Sequence, residues 1–294
     1  MKPRHIFLAL LVATIWGVNF TVIRVGLGSF PPLLLAALRF AIAALPVLFL
    51  PRPNIRWPLF IGIGATLFLG QFALLFTGMA VGITAGLASV VLQSQAFLTI
   101  LIASAFLRER PTFRQISGTL VAFAGLVIIA DTAGGVDFTM TGLGLCLAAA
   151  FCWAVGNVLL RRVGSTTVDV FALVAWLSLI PPVPLLVLSL IVNGPEALGR
   201  AMHTMNWGGV GAVLYIAVLS TTLCFALWGQ LLKRYPASAV APFSLLVPIF
   251  GAASAALFLG ERFEAMRIIG MVMILAGLVV VVLPVKRTWR SQLS

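Results

Sequence analysis

Ten long apolar runs follow one another down this chain with almost nothing charged inside them, and that alternation decides the fold class before any motif is read. The runs cover residues 6–25, 31–50, 58–79, 84–107, 115–130, 140–160, 168–192, 208–230, 237–259 and 266–284. Most approach or exceed the roughly 20 apolar residues that a helix needs to cross hydrocarbon. Only 9% of the 294 residues are charged and 62% are hydrophobic, whereas a soluble domain carries about a quarter charged residues to cover its outside. The outside of this chain must face lipid, and the short intervals leave no room for a separate soluble domain. In lipid every backbone polar group has to be satisfied within its own segment, so the runs are helices rather than open strands. The expectation is an all-α polytopic membrane protein.

The net charge of +12 does not point to nucleic acid, because the basic residues form no patch or tract. They sit in the intervals between runs, which is how membrane orientation is signalled. With both termini inside, fourteen Lys and Arg fall on the inner side and four (Arg24, Arg200, Arg262 and Arg267) on the outer side, leaving Arg39 within a span. The bias fits an even number of spans and a multi-pass protein of the bacterial inner membrane with cytoplasmic termini. The opening Met1-Lys2-Pro3-Arg4-His5 resembles the start of a signal peptide. The apolar run continues to about Val25 without a small-residue cleavage site, so it reads as a retained first helix.

Chemistry is thinly represented. Cys146, Cys152 and Cys224 all lie inside apolar runs, lack metal-site spacing with His, and read as small buried hydrophobes. No HExxH metal motif, paired buried Asp or serine-activating His is present. The chain is therefore expected to be neither an enzyme nor a holder of metals or cofactors.

The chain repeats itself. Phe106-Leu107-Arg108-Glu109-Arg110, with Gly118 and Ala124-Gly125-Leu126-Val127, returns 152 residues later as Phe258-Leu259-Gly260-Glu261-Arg262, with Gly270 and Ala276-Gly277-Leu278-Val279. Trp16-Gly17-Val18-Asn19 and Arg24 are echoed at an offset of 137 by Trp153-Ala154-Val155-Gly156-Asn157 and Arg161. The difference of 15 residues is assigned to a long seventh-to-eighth loop around Asn193–Asn206. Five spans is an odd number, so residues 136–294 enter the membrane from the side opposite to residues 1–135. Two inverted halves can open a central cavity to each side in turn.

At these residues the sequence resembles a known family. Trp16-Gly17-Val18-Asn19-Phe20, Leu38-Arg39-Phe40, Ala85-Gly86-Leu87-Ala88-Ser89 and the two Glu-Arg junctions resemble the EamA-type drug/metabolite transporters over essentially the whole chain. Leu92-Gln93-Ser94-Gln95-Ala96-Phe97 and Ser244-Leu245-Leu246-Val247-Pro248 look closest to its bacterial cysteine/O-acetylserine exporter branch. The resemblance implies ten helices around a central cavity and export of amino acids or their metabolites. A passive channel, or an exporter of other small metabolites or drugs, is the alternative. A functional monomer is the default, and membrane lipid and a small-molecule substrate are the expected partners.

Candidate site residues are polar or aromatic groups at depth. Arg39 is the one ionised side chain deep in a span, with no carboxylate at its own level. It either attracts a substrate carboxylate, for which its planar donor fork is suited, or ties helices together through neutral groups. Trp16 with Asn19, and Trp153 with Asn157, share helix faces, and either line the cavity or pack helices. Gln71 and Gln93 are favoured as lining residues, Gln93 over Gln95 because the two point in different directions. Trp176 is a further wall residue. Ser220, Thr221 and Thr222 read as hydroxyls that satisfy the preceding helical turn. Pro46, Pro181, Pro182, Pro184, Pro242 and Pro248 interrupt helices, while Gly62, Gly64 and Gly70 permit close packing. The acids all lie at span ends or in loops, so downhill or potential-assisted movement is expected rather than proton antiport. The Glu-Arg junctions read as helix-end orientation elements.

Overall fold

The computed structural model describes residues 1–107, 111–132, 138–163 and 169–282, and its described residues contain no strand. Among them, ten helices are long and apolar enough to cross a membrane. These are Pro3–Leu27, Pro32–Phe49, Trp57–Val81, Ala85–Phe106, Phe113–Asp131, Met140–Arg161, Val170–Ala201, Trp207–Arg234, Ala241–Leu259 and Ala265–Val282. They follow the apolar runs to within a few residues, with one correction. The stretch expected as a long loop after Asn193 is helical as far as His203. Gly194 breaks the seventh span with φ 75° and ψ 160°, a conformation essentially reserved for glycine. Pro195, whose fixed φ suits the first helical position, then starts a short amphipathic helix. Its Leu198 and Ala201 are at least partly buried, while Glu196 and Arg200 stay exposed and pair at 3.7 Å.

Apolar helices gain nothing from leaving lipid for one another, so small residues and polar contacts must hold them together. The fifth and tenth spans meet glycine to glycine. A Cβ built on Gly118 would lie 2.8 Å from the Gly277 carbonyl oxygen, and one on Gly125 would lie 2.6 Å from that of Gly270. The order of these pairs makes the two helices antiparallel. Elsewhere Gly17 of the first span fits against Phe250 and Gly251 of the ninth, and Gly78 of the third against Gly142 of the sixth. Thr21 and Ser254 hydrogen-bond at 2.8 Å inside the first-to-ninth contact. The first span also packs on the eighth, the sixth on the third and fourth, the second on the seventh, and the fourth on the ninth. Gly62 lies near Leu159, Gly64 against Ile180 and Gly70 against Cys152. All three cysteines are free thiols, two of them buried.

Six spans are not continuous α-helix. Around Pro46 and Pro242 the second and ninth spans tighten into 3-10 turns, Leu45–Phe49 and Ala241–Leu246. The fourth breaks at Leu92–Gln93 and the seventh between Leu177 and Pro182. The third and eighth instead widen into π-helix over Gly64–Gly70 and Tyr215–Leu223, a rare winding that is frequent at functional sites. In the eighth, the Thr221 and Thr222 hydroxyls donate to carbonyls five residues back, at 2.7 and 3.1 Å.

Glu261 crosses between the halves of the chain. Its two carboxylate oxygens accept the backbone N–H groups of Ala85 at 2.7 Å and Gly86 at 3.0 Å, capping the start of the fourth span. Negative charge is favoured there because helix N-termini present unpaired N–H groups. This junction acid is a helix-end element, as its sequence position suggested; Glu109 lies outside the described residues.

Candidate functional site

A guanidinium inside a membrane protein needs neutral acceptors or aromatic faces when no carboxylate is near, and Arg39 has both. It is 3% exposed. Its Nε donates to Thr221 Oγ1 at 3.0 Å, and its charged carbon stands 4.2 Å from the Phe72 ring centre and 5.5 Å from that of Phe40. Cation–π attraction strengthens when the pair is desolvated. Thr221 donates its single proton to Ile216 O at 2.7 Å, which leaves a lone pair for Arg39. The π-turn thus presents this hydroxyl as an acceptor. Arg39 Nη1 is buried with no hydrogen-bond partner among the described residues. A donor stranded in this way costs about 1–3 kcal/mol, more when charged, so the site is left in want of an acceptor.

The neighbouring candidates converge on the same spans. Trp16 Nε1 donates to Ser220 O at 2.9 Å, and its ring lies 5.4 Å from Phe225 and 5.2 Å from Trp228. Asn19 is buried with Oδ1 unpaired, as is Ser220 Oγ. Gln71 follows the π segment of the third span, next to Phe72, and is 3% exposed without a hydrogen bond to any described residue. Trp16, Arg39 and the Ser220–Thr221 pair are therefore linked through the eighth span.

A second polar group joins the fourth and sixth spans. Asn157 Nδ2 donates to Gln95 Oε1 at 2.8 Å and lies 3.3 Å from Thr99 Oγ1; Thr99 in turn donates to the Gln95 carbonyl at 2.6 Å. Gln95, which sequence reasoning set aside in favour of Gln93, is thus the glutamine that meets Asn157. Gln93 sits half-buried at the break of the fourth span, and Trp153 is half-buried one turn before Asn157. Ser89, one turn before Gln93, donates to Gly86 O at 2.7 Å and faces Pro248 O at 3.3 Å. Trp176 reaches across to Leu50 O at 3.1 Å and joins the seventh span to the end of the second.

Thr221, Phe72, Gln95 and Thr99 were missed as partners. Gln95 and Thr99 stand four residues apart, a helix-face spacing that was available in the sequence. The contact between Arg39 and Thr221 spans 182 residues and carries no local signal. A cavity of about 300 Å³ lies away from these groups, between Arg4 and His5 of the first span and Arg234 of the eighth. Among the described residues no group of three or more His, Cys, Asp or Glu side chains gathers into a metal site.

The EamA-like transporter family model matches residues 3–130 and again 140–283. The chain belongs to this family. Two relatives share much of its sequence: one of Salmonella typhimurium, 44% identical over 95% of this chain and 94% of its own length, and one of Escherichia coli, 43% identical over 99% and 98%. Both bear the name "Probable amino-acid metabolite efflux pump". A "Probable terminal-alkyne amino-acid exporter" of Streptantibioticus cattleyicolor is 28% identical over 95% of this chain and 93% of its own length. A solved crystal structure superposes with a TM-score of 0.64 at 20% identity, covering 96% of this chain and 99% of the other, which shows a shared fold. The protein is thus a multi-pass member of a transporter family.

Proposed function

We propose that this protein exports amino acids and related metabolites across the bacterial inner membrane by alternating access, with both termini cytoplasmic. Residues 1–135 and 136–294 form two inverted five-helix repeats around a central site. The twofold family match supports this division. So does the crosswise meeting of Gly118 with Gly277 and Gly125 with Gly270, since a twofold axis makes residue i meet j while j meets i. The π windings fall in the third span of each half, and the first-to-eighth contact is mirrored by the sixth-to-third. The excess of Lys and Arg on one side supports the orientation.

Arg39 is the observation that carries the substrate reading. A guanidinium oriented by Thr221 and Phe72, with Nη1 unpartnered, is shaped to take a carboxylate. Asn19 Oδ1 and the Gln71 amide offer acceptors for an ammonium group. Trp16, Gln93, Trp153, Asn157 and Trp176 line the path as indole and amide walls. The names of the relatives point to the same substrate class. The acids among the described residues lie at span ends or in connections, in keeping with uniport-like or potential-assisted movement rather than a proton relay.

The test is radiolabelled counterflow in proteoliposomes with a panel of amino acids, for the wild type, Arg39→Ala and Arg39→Lys, each checked for folding by its thermal midpoint. Saturable counterflow is expected for some of the panel, lost in Arg39→Ala and impaired in Arg39→Lys. No counterflow from folded protein would sink the substrate class, and unsaturable flux would make the protein a channel.

A further inference from the structure

The cavity of about 300 Å³ at the meeting of the first and eighth spans has a polar rim and an apolar floor. Arg4, His5, Gln230 and Arg234 form the rim, and Leu8, Leu227 and Leu231 the floor. The pattern is written into both helices. Arg4 and Leu8 are one turn apart, and Leu231 and Leu227 lie one and two turns before Arg234, so each helix places its cation at the tip and its leucines deeper.

Among the described residues no acid pairs with the arginines of the rim. His5 Nδ1 lies 2.6 Å from Tyr235 Oη, which also accepts the Lys2 backbone N–H at 3.2 Å. His5 Nε2 faces Arg234 Nη1 at 3.4 Å, leaving the other donors of that guanidinium open. Arg4 has no hydrogen bond or ion pair with any described residue. Asp169 is engaged at 2.7 Å by Lys233, the residue before Arg234. Two arginines thus converge, beside a histidine held by its neighbours, on a space large enough for a ligand.

We propose that this cavity seats the phosphate of an anionic phospholipid, its oxygens held by Arg4 and Arg234 and its chain laid over Leu8, Leu227 and Leu231. Arginine forks match phosphate oxygens, and basic pockets between membrane helices accept anionic headgroups. A soluble phosphate would satisfy the rim but gain nothing from a floor of leucines, so the apolar floor selects the lipid. A bound lipid bridges the first and eighth spans, the pair that deeper down carries the bond from Trp16 to Ser220.

The experiment uses the purified full chain in zwitterionic detergent. Dioctanoyl phosphatidylglycerol, dioctanoyl phosphatidylcholine and inorganic phosphate are titrated at equal concentrations, read by native mass spectrometry and thermal midpoint. The variants are Arg4→Gln with Arg234→Gln, and Arg200→Gln as a distant control. Phosphatidylglycerol is expected to leave a one-lipid adduct and raise the midpoint, while phosphatidylcholine and inorganic phosphate do neither. The double variant should bind phosphatidylglycerol at least roughly tenfold more weakly, as loss of two headgroup cations requires, with Arg200→Gln unchanged. Equal effects of phosphatidylcholine would overturn the proposal, and a midpoint rise from inorganic phosphate alone would replace the lipid with a soluble anion. An adduct that survives in the double variant would also overturn it. The headgroup comparison on the wild type stands even if the variant folds poorly, and none of these readouts depends on transport.

Discussion

Replacing Gly125 by alanine tests whether backbone proximity holds the fifth and tenth spans together. The added Cβ would stand 2.6 Å from the Gly270 carbonyl oxygen, 2.9 Å from Met273 Cβ and 3.1 Å from Ile274 N. Carbon atoms pack best at about 3.5–4.0 Å, so the tenth span must withdraw by roughly 0.5–1 Å, and each contact loosened by that much forfeits a quarter to a half of its attraction. Overpacking of this kind costs about 1–3 kcal/mol. Against it stands the better helix propensity of alanine, about 1 kcal/mol. Gly144 in the sixth span supplies the reference, because a Cβ built there meets nothing within 4 Å and Gly144→Ala takes the propensity gain alone. The expected gap between the two variants is about 1–3 kcal/mol, with Gly125→Ala the less stable. It is read from reversible unfolding in mixed micelles, titrated with a denaturing detergent and followed by tryptophan fluorescence. Equal stability of the two variants would refute the reasoning, since the steric contact is the difference that matters between them.

Thr221→Val should cost about 1–3 kcal/mol by stranding Arg39 Nε, while Thr221→Ser retains most of the stability; the same detergent titration compares them. Glu261→Ala removes both acceptors at the start of the fourth span and should cost about 1–2 kcal/mol, with faster amide exchange at Ala85 and Gly86; unchanged exchange there would count against the cap. Asp169 is held below its ordinary value near 3.8, first by the Lys233 hydrogen bond and then by the Ala172 amide. Its contribution is therefore fully present above the unfolded-state value and lost as pH falls through the lower folded one. Wild type should exceed Asp169→Asn in stability at neutral pH and converge with it in acid, and a gap that does not change with pH would contradict this.

The spans were legible in the sequence because hydropathy over about twenty residues is a strong, local signal. The glycines were legible because their spacing repeats, and so was the burial of Arg39, a lone charge in a long apolar run. The partners were not. Glu261 reaches amides 175 and 176 residues away, and nothing near either end announces the meeting. The π windings carry no proline and depend on tertiary packing. The helix after Gly194 was expected as a loop because the seventh apolar run ends at residue 192 and the 15 extra residues of the second half were assigned there, although proline at a first helical position also marks a beginning. At the candidate site the residue types were visible, but which amide meets which depends on how helices from distant parts of the chain are rotated against one another.

The wide windings of the third and eighth spans hold slack. Where a carbonyl is engaged from five residues on, a segment can lengthen by letting each N–H trade its acceptor for the neighbouring one. In hydrocarbon, breaking such a bond outright costs several kcal/mol, whereas trading acceptors leaves none unmet. A proline break offers only an angle, because its missing donor cannot be re-engaged. Gly64–Gly70 and Tyr215–Leu223 are accordingly the stretches where this protein can change a helix's length and turn the residues beyond it, Thr221 among them, while still presenting a closed backbone to lipid.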